Sequence, residues 1–338
     1  MSSEDGSHEG RETMSQLKIA TFNLENLFSR YRLLDTSDAG VHVQLVGATS
    51  IDYQGRPLSE GITQSQRNNT ARAILDSQPD ILAVEEVEDL WTLRCFNDEY
   101  LGGYFDRMIM LAGNDGRGIN VGLCVSSKCA ANIQGIRTHM DDIDPADGKA
   151  TRVNRYYNSV TNEITVDHAL FSRDCLEVDI EAWATPLTFL VNHFKAQDKY
   201  EKSTTGDLRR HQAARVAQIV GEVQRNGRKV VVLGDLNADW TANTTLQALK
   251  DLVTAGTLAD PFKDVSDPWT HFYDVANETS RLDYVLLDGA FAKSFDLPTI
   301  LRKGVTLKCT AAGERYPTIG YVGTEASDHC LVSVTLNL

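Results

Sequence analysis

Residues 230–239 read VVVLGDLNAD: four aliphatic side chains, then Gly234, Asp235 and Asn237. A strand apolar at consecutive positions has no polar face to give to water, so it is expected at the centre of a sheet covered on both sides. Such a strand is among the most rigid parts of a fold. It ends here in a carboxylate and a carboxamide two residues apart.

Working outward, β-branched and apolar runs recur at 16–24, 80–87, 105–111, 120–127, 176–183, 187–194, 282–287 and 329–336, and each reads as a strand. The last alternates, with Cys330, Val332, Val334 and Leu336 on one face and Ser333 and Thr335 on the other, as a half-exposed strand should. Helical periodicity is clearest over 206–227, where Val216, Ile219, Val220 and Val223 follow the i, i+3, i+4, i+7 rule and Gly227 can end the helix. Residues 65–80, stopped at Pro79, give a second helix; 87–101 and 244–255 give two more. The order helix, strand, several strands, then helix and strand again predicts two similar halves, each a sheet with helices on its outer face. Two mixed sheets packed face to face make an α/β (α+β) fold, a four-layered α/β/β/α sandwich. Residues 16–338 are expected to form one domain behind a polar, disordered leader at 1–15. The segments 31–60 and 139–165 lack periodicity and read as long binding loops or insertions.

The chain has 338 residues, of which 33 are Lys or Arg and 47 Asp or Glu, for a formal net charge of −14. Avid coating of bare duplex DNA calls for the opposite balance, so it is not expected. A divalent cation can still invert the field locally and let an acidic protein act on phosphate esters. No apolar run is long enough for a membrane span and no signal peptide is visible, so a cytoplasmic protein without a stable membrane anchor is expected. The six cysteines include no CxxC pair and read as buried reduced thiols. Oligomeric state is left open.

The feature of residues 230–239 repeats. IATFNLEN ends in Asn23 and Glu25, ILAVEEVED in Glu85 and Glu86, and FLVNHFKAQ in Asn192, His193 and Lys195; RLDYVLL begins near Asp283, and SDHCLVSV with Asp328 and His329. Singly, each has an ordinary explanation: a turn-forming Asn or Asp, a solvated strand end, a structural histidine, or a surface ion pair of Arg281 beside Asp283. Together they place many acceptors at strand ends, and burying or half-burying so many costs several kcal/mol unless each finds a partner. A shared cation would offset that cost. Carboxylates and carboxamides without thiolates are hard oxygen donors, suited to Mg²⁺ or Mn²⁺.

These motifs resemble the endonuclease/exonuclease/phosphatase superfamily, the DNase I-like enzymes. FNLEN resembles its first motif, AVEEV its LQEV motif with Glu85 where Gln is usual, NHFKA its HL motif, GDLNAD its GDFN motif, and RLDYVLL with SDH its C-terminal pair. They stand in family order from residue 22 to residue 329. The resemblance implies a site at one edge of the two sheets, with Glu86 as principal metal ligand, Asn23 and Glu25 nearby, and Asp328 supporting the metal or its water. Position 25 more often carries Asp or another residue in the family. It also implies that Asp235 orients or deprotonates the attacking water, Asn237 holds a phosphoryl oxygen, and His329, positioned by Asp283, contacts phosphate. His193 would bind phosphate or protonate the leaving oxygen, with Asn192, Lys195 and Arg117 as weaker substrate contacts.

The expected function is a metal-dependent phosphoric ester hydrolase, a phosphodiesterase or nuclease acting on a phosphate ester such as nucleic acid or nucleotide. Alternatives are a phosphomonoesterase or phospholipase for inositol phosphate, nucleotide or a sphingomyelin-like lipid, and, in another class, a non-catalytic binding scaffold.

Overall fold

The computed structural model describes residues 15–28, 62–115, 118–144, 169–197, 206–296, 298–321 and 323–338. For 31–36, 40–45, 50–51, 57–58, 154–158, 163–167 and 202–205 it describes the backbone element alone. The expected leader lies outside these residues apart from Ser15, whose carbonyl accepts a hydrogen bond from Leu338 N at 2.9 Å.

Two six-stranded sheets form the centre. Along the chain their strands are β1 (Gln16–Leu27), β2 (Ile81–Val87), β3 (Phe105–Met110), β4 (Asn120–Ser126), β5 (Ala131–Arg137), β6 (Cys175–Ala182), β7 (Thr185–His193), β8 (Lys229–Asp235), β9 (Leu258–Ala259), β10 (Asp283–Asp288), β11 (Thr299–Leu301) and β12 (Leu331–Asn337). One sheet has the order β11-β12-β1-β2-β4-β3 and the other β9-β10-β8-β7-β6-β5. Within them only β1 with β2 and β7 with β8 run parallel. Each parallel pair is joined through a helix, α1 (Gln64–Ser77) or α3 (Lys202–Arg225). Every sheet thus carries one βαβ unit flanked by antiparallel neighbours, and the carboxyl ends of its parallel strands are the natural place for a ligand.

Three apolar layers follow from the alternation of the strands. Leu17, Ile19, Ile81, Ala83, Phe189, Val191, Val231, Leu233, Val285 and Val334 fill the space between the sheets. Phe22, Leu24, Leu82 and Val84 on the opposite face of the first sheet pack under Ala71 and Ile74 of α1 and Leu93 and Phe96 of α2 (Leu90–Tyr100). Leu190, Val230, Val232 and Leu286 pack under Val216, Ile219 and Val220 of α3 and Leu249 of α4 (Gln247–Thr254). The run VVVL is apolar throughout because β8 is covered on both faces. Gly234 follows it at φ 127°, where a Cβ would lie 1.9 Å from the Asn192 carbonyl oxygen, so only glycine lets β7 and β8 close up here.

Two expectations change. The non-core face of β12 is open to water only in part: Ser333 is buried and pairs across to Thr299 of the edge strand β11, while Thr335 is half-buried. Within the segments read as long loops, antiparallel hairpins pair Tyr31–Thr36 with Gly40–Leu45, Ser50–Ile51 with Pro57–Leu58, and Asn154–Asn158 with Glu163–Asp167. The cysteines are free, five of them buried.

Candidate active site

Period-two alternation carries polar side chains into the inter-sheet layer. On β1 the row Leu17, Ile19 continues to Thr21 and Asn23; on β2, Ile81 and Ala83 lead to Glu85; on β7, Phe189 and Val191 lead to His193; on β8, Val231 and Leu233 lead to Asp235. β10 runs the other way and starts with Asp283. The layer is hydrocarbon along its length and polar at one end.

Asp235 is the hub of that end. Its Oδ2 accepts from Asn23 Nδ2 at 3.2 Å and from Asn237 Nδ2 at 3.0 Å, and its Oδ1 accepts from Asn237 N at 2.9 Å. His193 Nε2 lies 3.4 Å and His329 Nε2 3.8 Å from the same Oδ2. Burial pushes the Asp235 carboxyl up to about 6, with His329 and the Asn237 amide opposing and Asp283 adding to the rise. Asn237 also donates to the Phe194 carbonyl at 3.1 Å, so both of its amide hydrogens are engaged and it acts as a clamp on Asp235. His329 Nδ1 lies 2.9 Å from Asp283 Oδ2. Burial works against a charged His329, but Asp283 and Asp235 outweigh it and hold the imidazole well above its ordinary pKa.

The metal candidates stand beside this hub where both parallel strands of the first sheet are irregular. Glu25 (φ 49°), Asn26 (φ 61°) and Glu86 (φ 60°) all occupy the left-handed region, and the β1–β2 and β2–β4 registers both shift here. Strain of about 1–3 kcal/mol per such residue is typical of functional sites. At Glu86 it breaks the alternation and brings Oε1 to 3.8 Å from His193 Nε2, while Oε2 accepts from Asn26 N at 3.1 Å. Glu25 Oε2 accepts from Asp328 N at 3.1 Å. Burial first, then the charges of Asp328, Glu325 and Glu86, push the Glu25 carboxyl well above its usual range. Asp328, Glu325 and Glu86 thus concentrate negative charge around Glu25, while the carboxylate and imidazole atoms that come within 4.8 Å of one another are those of His271, Asp328 and His329 and of Asp235, Asp283 and His329.

Glu85, by contrast, turns inward. It is fully buried, accepts from Thr21 Oγ1 at 2.8 Å through Oε1, and leaves Oε2 without a hydrogen-bond partner. Burial raises its pKa well above the carboxylate range. A carboxyl whose charged form is disfavoured by burial thus stands where the resembling motif has a neutral amide.

Several expectations are corrected. Asn192 shares the helix-facing side of β7 with Leu190, is fully buried, and donates to the Leu190 carbonyl at 2.9 Å, so it does not face the site. Arg281 is no surface partner of Asp283. It forms a buried bidentate pair with Asp260, at 2.7 and 2.8 Å, and lies over the Tyr284 and Trp240 rings. Lys195 follows β7, its backbone held by Gln212 Oε1 and Arg209 Nη1, with the residue half-buried at the rim of the second sheet. Arg117 lies outside the described residues.

Two further residues join the site. Thr270 Oγ1 donates to Asp283 Oδ2 at 2.6 Å and accepts from Asp283 N at 3.0 Å, which fixes that carboxylate for His329. The His271 ring lies against that of His329, tilted by 50° with centroids 4.6 Å apart, and its Nε2 lies 3.7 Å from Asp328 Oδ2. Both belong to or adjoin a three-residue strand, His271–Tyr273, too short for any sequence period to mark.

The sequence matches the model of the endonuclease/exonuclease/phosphatase family over residues 20–329. The chain belongs to this family. Among solved structures of the fold, truncated TDP2 from Caenorhabditis elegans aligns over 96% of this chain and 98% of its own, at 15% identity and a TM-score of 0.56. A family protein from Bacteroides thetaiotaomicron aligns over 96% and 98%, at 17% identity and a TM-score of 0.57. The catalytic domain of human Nocturnin with bound sulfate aligns over 95% and 93%, at 13% identity and a TM-score of 0.55. A comparison with curated sequences found no match. The family comprises phosphodiesterases, nucleases and phosphatases, and its hydrolases use divalent metals. Among the described residues no helix is long and apolar enough to cross a membrane.

Proposed function

We propose that this chain is a divalent-metal-dependent phosphodiesterase of the nuclease type that hydrolyses a P–O bond by direct attack of water. The single observation supporting it most is the convergence of Asn23, His193, Asn237 and His329 on the buried carboxylate of Asp235. Asp235, basic enough at about 6 to take a proton from water yet ionised at neutral pH, is the general base. Asn23 and Asn237 hold it to the tolerance that in-line displacement requires. His329, kept cationic by Asp283, offers its Nε2 proton to a phosphoryl oxygen; His193, 3.4 Å from Asp235, serves the leaving oxygen. Glu86, Glu25 and Asp328 would hold the cation, which supplies positive charge against the phosphoryl oxygens. The whole chain from 16 to 338 is read as one catalytic domain.

Hydrolysis of bis(p-nitrophenyl) phosphate with Mg²⁺ or Mn²⁺, abolished by chelation and restored by the metal, is the test. Chelator-insensitive turnover, or none on any phosphate ester in a panel of DNA, RNA, nucleotides and inositol phosphates, defeats the reading. The runner-up, a phosphomonoesterase for small substrates, is favoured by the net charge of −14. Faster turnover of p-nitrophenyl phosphate than of the diester would select it.

A further inference from the structure

We propose that Arg209 and Gln212 of α3 are positioning residues of the candidate active site: together they lock the turn that leaves β7, and through it they hold Asn237 against Asp235. The two stand at i and i+3 of the helix and so share one of its faces. Gln212 Oε1 accepts from Lys195 N at 2.9 Å, and Arg209 Nη1 donates to Lys195 O at 2.8 Å. Lys195 N and Phe194 O belong to one peptide plane. The other edge of that plane meets the site: Phe194 O accepts from Asn237 Nδ2 at 3.1 Å and from Arg173 Nη1 at 3.4 Å, while Phe194 N donates to Asp235 O at 2.9 Å. Rotation of the plane would carry the acceptor away from Asn237, whose Nδ2 also holds Asp235 Oδ2 at 3.0 Å.

Both side chains of α3 are themselves fixed. Gln212 is fully buried and donates through Nε2 to the Leu170 carbonyl at 2.9 Å; Arg209 Nε donates to Thr245 Oγ1 at 3.3 Å. Arg209 is 3% exposed, and among the described residues no carboxylate stands within ion-pair distance of it. Burial lowers its pKa; the charge of Asp235 opposes the fall and that of Arg210 adds to it. A buried cation without an ion pair is costly to keep. Its planar fork holds a hydroxyl and a carbonyl in two set directions at once, which the single ammonium of a lysine does not. Such support behind the groups that meet the substrate is what keeps a site within the tolerance its chemistry needs. The consequence for turnover rests on the phosphoesterase reading, whereas the placement of Asn237 does not.

The test compares Gln212→Leu and Arg209→Lys with wild type, by hydrogen exchange of the Asn237 side-chain amide and by turnover of bis(p-nitrophenyl) phosphate with Mg²⁺. In each variant the Asn237 Nδ2 hydrogens should exchange at least ~10-fold faster, with the Val232 amide in the middle of β8 unchanged. kcat should fall at least ~10-fold with KM within about twofold, because alignment and not substrate contact is lost. Arg209→Lys keeps the charge, so a loss there is one of geometry. Should Gln212→Leu fail to fold, Arg209→Lys is read alone by the same criteria. Unchanged Asn237 exchange in the folded variants, equal acceleration at Val232, or a raised KM at constant kcat overturns the proposal. Because exchange is read without substrate, an inactive wild type that shows the exchange contrast upholds the positioning role while defeating the phosphoesterase reading.

Discussion

Two clusters in this molecule are built from the same materials, a histidine among carboxylates, and they come to opposite ends: His329 is buried, His139 half-buried. Around His139, Nε2 lies 2.9 Å from Glu177 Oε2 and Nδ1 3.3 Å from Asp142 Oδ2. Arg137 donates to Glu177 and Arg215 to Asp142, at 2.6 and 2.8 Å, so the acids are matched by cations. Around His329, Nδ1 is taken by Asp283, but Nε2 has carboxylates only at 3.8 and 3.9 Å, and Asn23 and Asn237 bring no charge. The first cluster is saturated and joins a loop, a strand and a helix. The second keeps a donor and an excess of negative charge in hand, the condition for binding a phosphate and a cation.

The largest effect that could break this contrast is on turnover. Asp235→Ala and His329→Ala should each lower kcat by ~10²–10³, equivalent to about 2.7–4 kcal/mol, while circular dichroism shows the fold kept. His139→Ala should leave kcat within about twofold yet lower unfolding stability by ~1 kcal/mol in urea titration, because it removes contacts to Glu177 and Asp142 while Arg137 and Arg215 remain as their partners. An activity loss in His139→Ala comparable to that of Asp235→Ala would erase the distinction.

The two clusters should also differ in pH dependence. Burial opposes charge on His139, and its contacts with Asp142 and Glu177 overcome that and push it up to about 9. A raised histidine stabilises the fold fully below its unfolded pKa of ~6.5, and that contribution disappears as pH rises through about 9. Thermal melts of wild type and His139→Gln should therefore converge between those values. Activity should instead fall on acidification through about 6 as Asp235 takes up a proton. A pH–rate profile flat through that range would remove Asp235 from the role of base.

The smallest effect concerns Glu85. The unfolded chain ionises it at ~4.3, whereas burial raises its pKa in the fold, so stability is lost as pH rises above the unfolded value. Glu85→Gln should remove that loss and raise stability at pH 8 by about 1 kcal/mol, with little difference near pH 4. If Glu85→Gln instead lowered stability at pH 8, the acid would be making a partner contact as an anion.

The central strands and the ordered motifs were legible because apolar runs of seven or so residues end in unusual polar pairs. What escaped had physical causes. β7 is apolar on both faces, so nothing in its composition says that Asn192 looks toward α3 and His193 toward the site; only the packing of Leu190 and Val191 into different layers decides it. Thr270 and His271 fall at a strand too short to show a period. Arg281 reads as a surface charge because its partner Asp260 is remote in sequence and its cover of Trp240 and Tyr284 forms only on folding. Glu85 and Glu86 are adjacent and alike, and the positive φ at Glu86 alone sends one inward and the other to the site.

The most direct measurement is metal-dependent hydrolysis of bis(p-nitrophenyl) phosphate by wild type, Asp235→Ala and His139→Ala side by side. The account predicts chelator-sensitive turnover in wild type and His139→Ala and its near disappearance in Asp235→Ala. Equal turnover in all three, or turnover indifferent to chelator, would contradict it.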